Sequence, residues 1–366
     1  MTATLQAKAP VGSMFISPIA NPFVGSDPEV FVMNGTKVLP AWEFLPDKGN
    51  PLKTWYAHDA DTHLTPYFTH QYWDGFQAEL ALGWAPTCLM FLMCYVQQGL
   101  RTIRDEAVKV APNAKLSLKS VVRVPLSTLR TAMDPHVSLG CAPSLNAYGL
   151  KGIEAGNPRQ LRYRFAGGHM HFGCTELIKH KNITHVVKML DAIVGLWSVG
   201  AAKSFDHPIR RRYYGMAGEF RRPEHGLEYR VLSNFWLSHP VVFHATWEIA
   251  RRAVMLALSE YANLWVAPEE MVVEAIQNGD AKIARKLLEL NKPIFTWLMA
   301  SRGWTMGMID KLFNVGIDGL ESIIKDPEDI ENNWLLNPGQ PTMSCRQEAH
   351  SLYTWQGFAT SLTTKV

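Results

Sequence analysis

The sequence predicts an α+β protein in which an antiparallel or mixed sheet carries helices on one face. Three observations carry that reading. Short segments rich in β-branched residues or alternating apolar with polar recur around 29–32, 74–82, 116–124, 161–173 and 227–234, the pattern of strands half-buried against a core. Stretches at 87–110, 181–202 and 241–265 have the length and apolar content of buried helices, the last with Ala250, Val254 and Leu258 along one stripe. No GxGxxG follows a strand, which argues against a parallel dinucleotide-binding sheet.

Taken in order, residues 1–24 are rich in Ala, Pro and Ser and read as an arm. Val30–Val32, the Asn34-Gly35 pair and Lys37–Leu39 predict a hairpin with a two-residue turn. Residues 43–73 read as loop, with His58, His63 and His70 as loop histidines. Asp74 to Leu82 is a strand, Thr87 to Val110 a helix stopped by Pro112, and Leu116 to Val124 a strand. A Gly- and Pro-rich loop containing Cys141 and Asn146 leads to a strand over 161–173. The basic stretch IRRRYYGMAGEFRRPEHG connects the second long helix to a last strand, Leu227 to Asn234. Glu269 to Leu290 and Met308 to Ile324 are helical by pattern. The expected division is an arm over 1–24, a main domain over 25–265, a helical subdomain over 266–330 and an irregular tail over 331–366.

Composition narrows the function classes. The 366 residues are 47% hydrophobic, enough for a sizeable core, and the net charge of +3 gives no bulk attraction to nucleic acid. The five cysteines are odd in number and form no CxxC, which favours reduced thiols in a cytoplasmic protein. Cys141 has no visible activating partner and reads as packing rather than a nucleophile. No charged segment followed by an apolar run marks a signal peptide, and the runs at 89–96 and 192–202 are too short to span a bilayer. No membrane partner is expected.

The chemistry lies in polar pairs at i, i+2. Asp27 and Glu29 flank Pro28; Gln77 and Glu79 follow Asp74; His169 and His171 alternate with Met170 and Phe172; Glu228 and Arg230 flank Tyr229. In an extended backbone each pair leaves one face while the intervening residue faces the core. Each alone has a structural reading, as a turn, a satisfied core histidine or a surface salt bridge. Together, on neighbouring strands, they would make an acidic surface with imidazoles. Such oxygen-rich donors suit Mg²⁺ or Mn²⁺ better than zinc. Arg210, Arg211, Arg212, Arg221, Arg222 and Arg230 follow close by in sequence, and guanidinium groups match phosphate and carboxylate oxygens. Divalent metals with arginines are the equipment of phosphoryl transfer.

The segments GSDPEVFV, LPDKGNPL, DGFQAEL, LGCAPSLNAYG, RFAGGHMHFG, RRRYYGMAGEFR and GLEYRVLSNFW, in this order over residues 25–240, resemble the glutamine synthetase and glutamate–cysteine ligase superfamily. Within it they are most similar to the phage-type carboxylate–amine ligases, or amidoligases. The resemblance implies a glutamine-synthetase-like curved sheet forming a funnel for ATP and Mg²⁺ (or Mn²⁺), with residues 266–366 outside the motifs. It implies Glu29, Glu79, His169 and Glu228 as metal ligands, with Asp27 in the partner position to Glu29. Asp27 departs from the glutamate common in the superfamily and is one methylene shorter. It places His171 near the phosphates, Arg230 on phosphate or substrate, and Arg212 and Arg221 at the γ-phosphate.

The implied reaction phosphorylates a carboxylate from ATP and lets an amine displace the phosphate, forming an amide. The expected partners are a small-molecule or peptide carboxylate and an amine; a nucleic acid enters only as a modified substrate, and an oligomer is compatible with the resemblance. The expected location is the cytoplasm, that of the host if the chain is phage-encoded. Two alternatives stand beside ligation: a metal-dependent hydrolase or phosphotransferase, and a non-catalytic module whose arginines hold a nucleic acid or an assembly partner.

Overall fold

The computed structural model describes residues 22–55, 68–83, 89–139, 144–154, 156–300 and 305–341. Cys141, His58 and His63 lie outside them. The first described strands are β1 (Phe23–Ser26) and β2 (Glu29–Asn34), two halves of one extended run interrupted at Asp27-Pro28. Pro28 has no N–H to give a ladder, so the run changes partners there. β3 (Lys37–Leu39) returns from β2 in the expected hairpin, but the two-residue turn is Gly35-Thr36, with Gly35 at φ 61°, because Asn34 still pairs with Lys37 as the last residue of β2.

The interval read as loop over 43–73 holds two strands, β4 (Leu52–Trp55) and β5 (Phe68–Asp74). β5 turns through Gly75, at φ 61°, into β6 (Gln77–Leu82), so DGFQAEL is a hairpin tip and strand rather than one strand. The β propensity of Thr54, Trp55, Tyr72 and Trp73 outweighs the prolines and histidines around them. β7 (Ala114–Ser117) and β8 (Val121–Arg123) replace the single strand expected over 116–124. β9 (Leu145–Asn146) follows.

The strand expected over 161–173 is likewise two. β10 (Tyr163–Phe165) pairs with β8 in a small separate ribbon, and β11 (Met170–Gly173) joins the main sheet. The break falls at Gly167-Gly168. A Cβ on Gly168 would meet the Ser233 carbonyl and the Trp236 indole, so only glycine lets these backbones approach. β12 (Glu219–Arg221) and β13 (Leu227–Tyr229) complete the set.

The main sheet runs β3-β2-β6-β1-β11-β13-β12-β9, with β5 and β4 added beside β6 and β7 beside β2. Every pairing described in it is antiparallel. One face is apolar. Ala78, Leu80, Met170, Phe172, Leu227 and Tyr229 are fully buried there, in one core with the helices Leu89–Val110, Ile183–Ala201 and Pro240–Ala257. This is the mixed α/β architecture with a large antiparallel sheet that the period-2 segments predict.

The helix Ile183–Ala201 is longer than its apolar run suggests, long and apolar enough by composition to cross a membrane. In this fold 83% of its most apolar window is buried inside the protein. It contains a π turn, Asp191–Gly195, which places the Asp191 carboxyl against the Tyr229 hydroxyl (2.6 Å) and the Gly218 N–H (2.6 Å).

The C-terminal helices belong to the same core. Glu269–Asn278 ends at Gly279, φ 64°, and Asp280 then caps Ala281–Leu290 by accepting from Lys282 N and Ile283 N. Lys292–Met299 and Met306–Asp318 follow, and Leu287, Leu298, Leu312 and Phe313 share one cluster with Trp197 and Tyr229. Met306–Asp318 crosses Ile183–Ala201 at Gly200 and Gly316, and Trp197 donates to the Leu312 carbonyl at 2.8 Å. A Cβ on Gly200 would overlap the Gly316 carbonyl, a backbone group that cannot swing away. Gly200→Ala is therefore expected to destabilise the fold by about 1–3 kcal/mol or more. A chemical-denaturation midpoint equal to the parent protein's would refute this account of the crossing.

Candidate active site

The polar face of the sheet collects the predicted pairs. Register places Arg221 opposite Glu228, Glu228 opposite His171, and His171 opposite Gly25. Further along the first run, Glu29 lies opposite Glu79, and Glu79 opposite Tyr72. Antiparallel neighbours in direct register share a face, so these side chains converge. Asp27 sits at the interruption between β1 and β2, between the two groups. The acids are largely enclosed: Glu29 and Glu79 are 5% exposed and Glu228 6%.

The first group surrounds Asp27. Its Oδ1 is 3.3 Å from His169 Nδ1 and its Oδ2 3.2 Å from His171 Nε2. Glu228 Oε1 lies 3.6 Å from His169 Nδ1, 3.5 Å from Arg221 Nη1 and 3.6 Å from Arg230 Nε. Tyr214 Oη shares a hydrogen bond with His169 Nε2, and the Arg230 guanidinium lies 5.4 Å above the Tyr214 ring. His171 Nδ1 faces His225 Nε2 at 3.3 Å. Donor atoms of Asp27, His171 and Glu228 all lie within 4.8 Å of one another.

The second group is Glu29, Asp74 and Glu79, whose oxygens also lie within 4.8 Å of one another. Glu29 is held from both sides by Gly167: the Gly167 N–H donates to its Oε2 at 2.6 Å, and its own N–H donates to the Gly167 carbonyl at 2.9 Å. The Tyr72 hydroxyl donates to Glu79 Oε1. Lys48, exposed on the loop before β4, stands 5.1 Å above the Tyr72 ring.

Charge on this face is under tension. Burial raises the Glu29 carboxyl well above its usual range, with Asp74 and Glu79 adding repulsion. Burial pushes Glu79 up to about 8, with Asp27 and Asp74 adding to it and Lys48 opposing. Burial also raises Asp74, again against Lys48. Asp27 goes the other way: burial would raise it, but His169 and His171 together hold it low. Burial disfavours the charged His171 imidazole, yet the hydrogen bond to Asp27 raises it overall.

The donor sets fit divalent cations. They are carboxylate-rich with imidazole, the chemistry of Mg²⁺ and Mn²⁺ rather than structural zinc. The spacings fit as well. Two ligands about 2.1 Å from one octahedral ion stand about 3 Å apart. The 3.2–3.6 Å contacts around Asp27 and Glu228 are close to that and longer than the ~2.8 Å of a charge-assisted hydrogen bond. Asp27, Glu228 and the imidazoles could hold one cation, and Glu29, Asp74 and Glu79 another.

Of the residues predicted from sequence, Asp27, Glu29, Glu79, His169, His171, Arg221, Glu228 and Arg230 come together. Arg212 does not: it is exposed, and among the described residues no hydrogen bond or ion pair ties its side chain to the cluster. Its neighbours are structural. Arg210 and Arg211 are buried on Asp206, at 2.7 Å each. Asp74, Tyr72, Tyr214 and Lys48 were not assigned roles by sequence. Asp74 alone had a usable signal, standing three residues before Gln77; the tyrosines meet the site only through the sheet register and the loop after Arg210–Tyr213.

The raised carboxyl groups set a pH dependence. Glu79 has an ordinary value of 4.5 and about 8 in the fold. The folded chain keeps a proton that the unfolded chain releases between those values. The stability this confers is full below about pH 4.5 and lost as pH rises through about 8. In the absence of divalent cations the melting temperature should therefore fall between about pH 5 and pH 8.5, and Glu79→Gln should flatten the fall. A cation held by these carboxylates would compete with the retained proton, and added Mg²⁺ would then raise the melting temperature more at pH 8 than at pH 6. A melting temperature that climbs with pH in the metal-free protein would contradict this reading.

No curated protein matches the chain. Residues 149–336, just over half of the 366, match the family described as phage phiEco32-like COOH.NH2 ligase-type 2. The match contains His169, His171, Tyr214, Arg221, Glu228 and Arg230, and runs on through the C-terminal helices that sequence motifs left unplaced. The chain belongs to the phage phiEco32-like COOH.NH2 ligase-type 2 family, and with it to the carboxylate–amine ligases.

Proposed function

We propose that the protein is an ATP- and Mg²⁺-dependent ligase that activates a carboxylate as an acyl phosphate and joins it to an amine. The observation that carries this is one sheet face holding two carboxylate clusters with Arg221 and Arg230 beside them. A C–N bond cannot form from a free carboxylate and an amine without activation, and phosphoryl transfer needs this combination of acids and guanidiniums. The all-antiparallel sheet, apolar on the helix side and acidic on the other, supports a glutamine-synthetase-like form.

In this reading the substrate carboxylate attacks the γ-phosphorus and ADP leaves. The amine then attacks the acyl carbon, phosphate leaves, and the amine gives up a proton. Bound Mg²⁺ supplies charge neutralisation of the transferring phosphoryl group. Asp27, Glu29, Asp74, Glu79, Glu228 and the two imidazoles hold the cations. Arg230 and Arg221, beside Glu228 on the acidic face, offer guanidinium N–H groups to phosphate oxygens. Burial of the cluster keeps water from the acyl phosphate. The substrates are a small or peptide-like carboxylate and an amine, and the setting is the cytoplasm of a host cell.

The test is ADP and phosphate release with ATP, Mg²⁺ and pools of amino acids or polyamines. Release that needs both an acid and an amine, with an amide in the product, supports ligation. ADP release with no amine points to hydrolysis, and no nucleotide affinity points to a binding module. Glu228→Gln, which keeps the shape and removes the charge, should lower kcat by about 100-fold or more while the melting temperature moves only a few degrees. Full activity in that variant would remove Glu228 from the proposal.

A further inference from the structure

We infer that Tyr214 is a positioning residue that fixes the tautomer of His169 and so presents His169 Nδ1 to a divalent cation between Asp27 and Glu228. The inference rests on the cation-binding reading above. His169 is 5% exposed and its two ring nitrogens have unlike surroundings. Nε2 meets a neutral hydroxyl, that of Tyr214. Nδ1 faces two carboxylate oxygens, at 3.3 Å on Asp27 and 3.6 Å on Glu228.

A neutral imidazole carries one proton, and which nitrogen bears it is set by the partner at the other. With the proton on Nδ1, the imidazole would donate to Asp27 as a charge-assisted bond, for which about 2.8 Å is the ordinary length. The observed spacing is wider and fits two ligands sharing an ion. With the proton on Nε2, His169 donates to Tyr214 Oη, and the Nδ1 lone pair points between the two acids. A lone pair facing carboxylates is repulsive unless a cation lies among them.

The surroundings hold Tyr214 in this role. A Cβ on Gly167 would lie 2.7 Å from Tyr214 Oη and 2.9 Å from His169 Nε2, so glycine is what allows the pair to meet there. The Tyr214 ring also supports the Arg230 guanidinium, 5.4 Å from its centre. Tyr214 thus braces a metal donor with its hydroxyl and a phosphate-facing arginine with its ring. Tyr214→Phe separates the two: it removes the hydroxyl and leaves the ring under Arg230.

The test uses the full chain with ¹⁵N-labelled histidine, His169 being assigned by its absence from H169Q. In the Mg²⁺-loaded parent protein the Nε2–H tautomer is expected; in Tyr214→Phe at the same Mg²⁺ concentration, both tautomers, because Nδ1 is left partly uncoordinated. Mn²⁺ affinity, read from the electron paramagnetic resonance of the free ion, should fall about 10–100-fold in Tyr214→Phe. Circular dichroism should show the variant folded. An Nδ1–H tautomer in the Mg²⁺-loaded parent protein overturns the inference, whatever the variant does. Equal Mn²⁺ affinity in the two proteins overturns it too while leaving the ligase reading intact. Failure of the parent protein to bind Mn²⁺ would sink both.

Discussion

The constraint on which this structure turns is the placing of acids without full counter-charge on the inner line of a sheet. Glu29 and Glu79 are paired across β2 and β6, where like charges in direct register repel. Both are removed from water, and Asp74 adds a third carboxyl within reach. Isolated carboxylates do not stay ionised in such a place; they take up protons or find cations. A fold selected for stability alone would put apolar residues or a closed salt bridge here.

The protein shows elsewhere how it closes a buried ion pair. Asp206 receives Arg210 through Nε at 2.7 Å and Nη2 at 3.0 Å, and Arg211 through Nη2 at 2.7 Å. That forked geometry is tight, and it holds the Asp206 carboxyl low against a burial penalty that would raise it. Glu228 is treated differently. His169, Arg221 and Arg230 stand around its Oε1 at 3.5–3.6 Å, near enough to balance its charge and too far to bond it well. The two arrangements differ within one chain: Arg210 and Arg211 secure the fold through Asp206, while Arg221 and Arg230 stand on the acidic face. Of the RRR run, only Arg212 is exposed.

Much of this was legible in the sequence because strands expose alternate residues. The pairs Asp27/Glu29, Gln77/Glu79, His169/His171 and Glu228/Arg230 announce a polar face by spacing alone, and the register confirms it at Glu29–Glu79 and His171–Glu228. What spacing cannot reveal is where a strand stops. RYRFAGGHMHFG reads as one strand, yet Gly167-Gly168 passes the chain from the small ribbon to the main sheet, and that crossing is what brings Gly167 to Glu29. β4 and β5 were hidden for a related reason: their histidines and the neighbouring prolines weaken the pattern, while the partners that stabilise them are supplied by β6 and by each other.

The interruption at Asp27-Pro28 joins these points. The run keeps one register on β6 across it, Ser26 opposite Leu82 and Glu29 opposite Glu79, so Asp27 and Glu29 stay on one face. Pro28 gives no N–H to the ladder, but its carbonyl accepts from Leu80 N at 3.0 Å, which keeps the run attached to β6. On the other side β1 pairs with β11, while the Glu29 N–H goes to the Gly167 carbonyl. Asp27 therefore meets His169 and His171, and Glu29 meets the acids of β5 and β6. One acidic run is thus divided between two donor clusters. The aspartate reaches both imidazoles, at 3.3 and 3.2 Å, without the extra methylene of a glutamate.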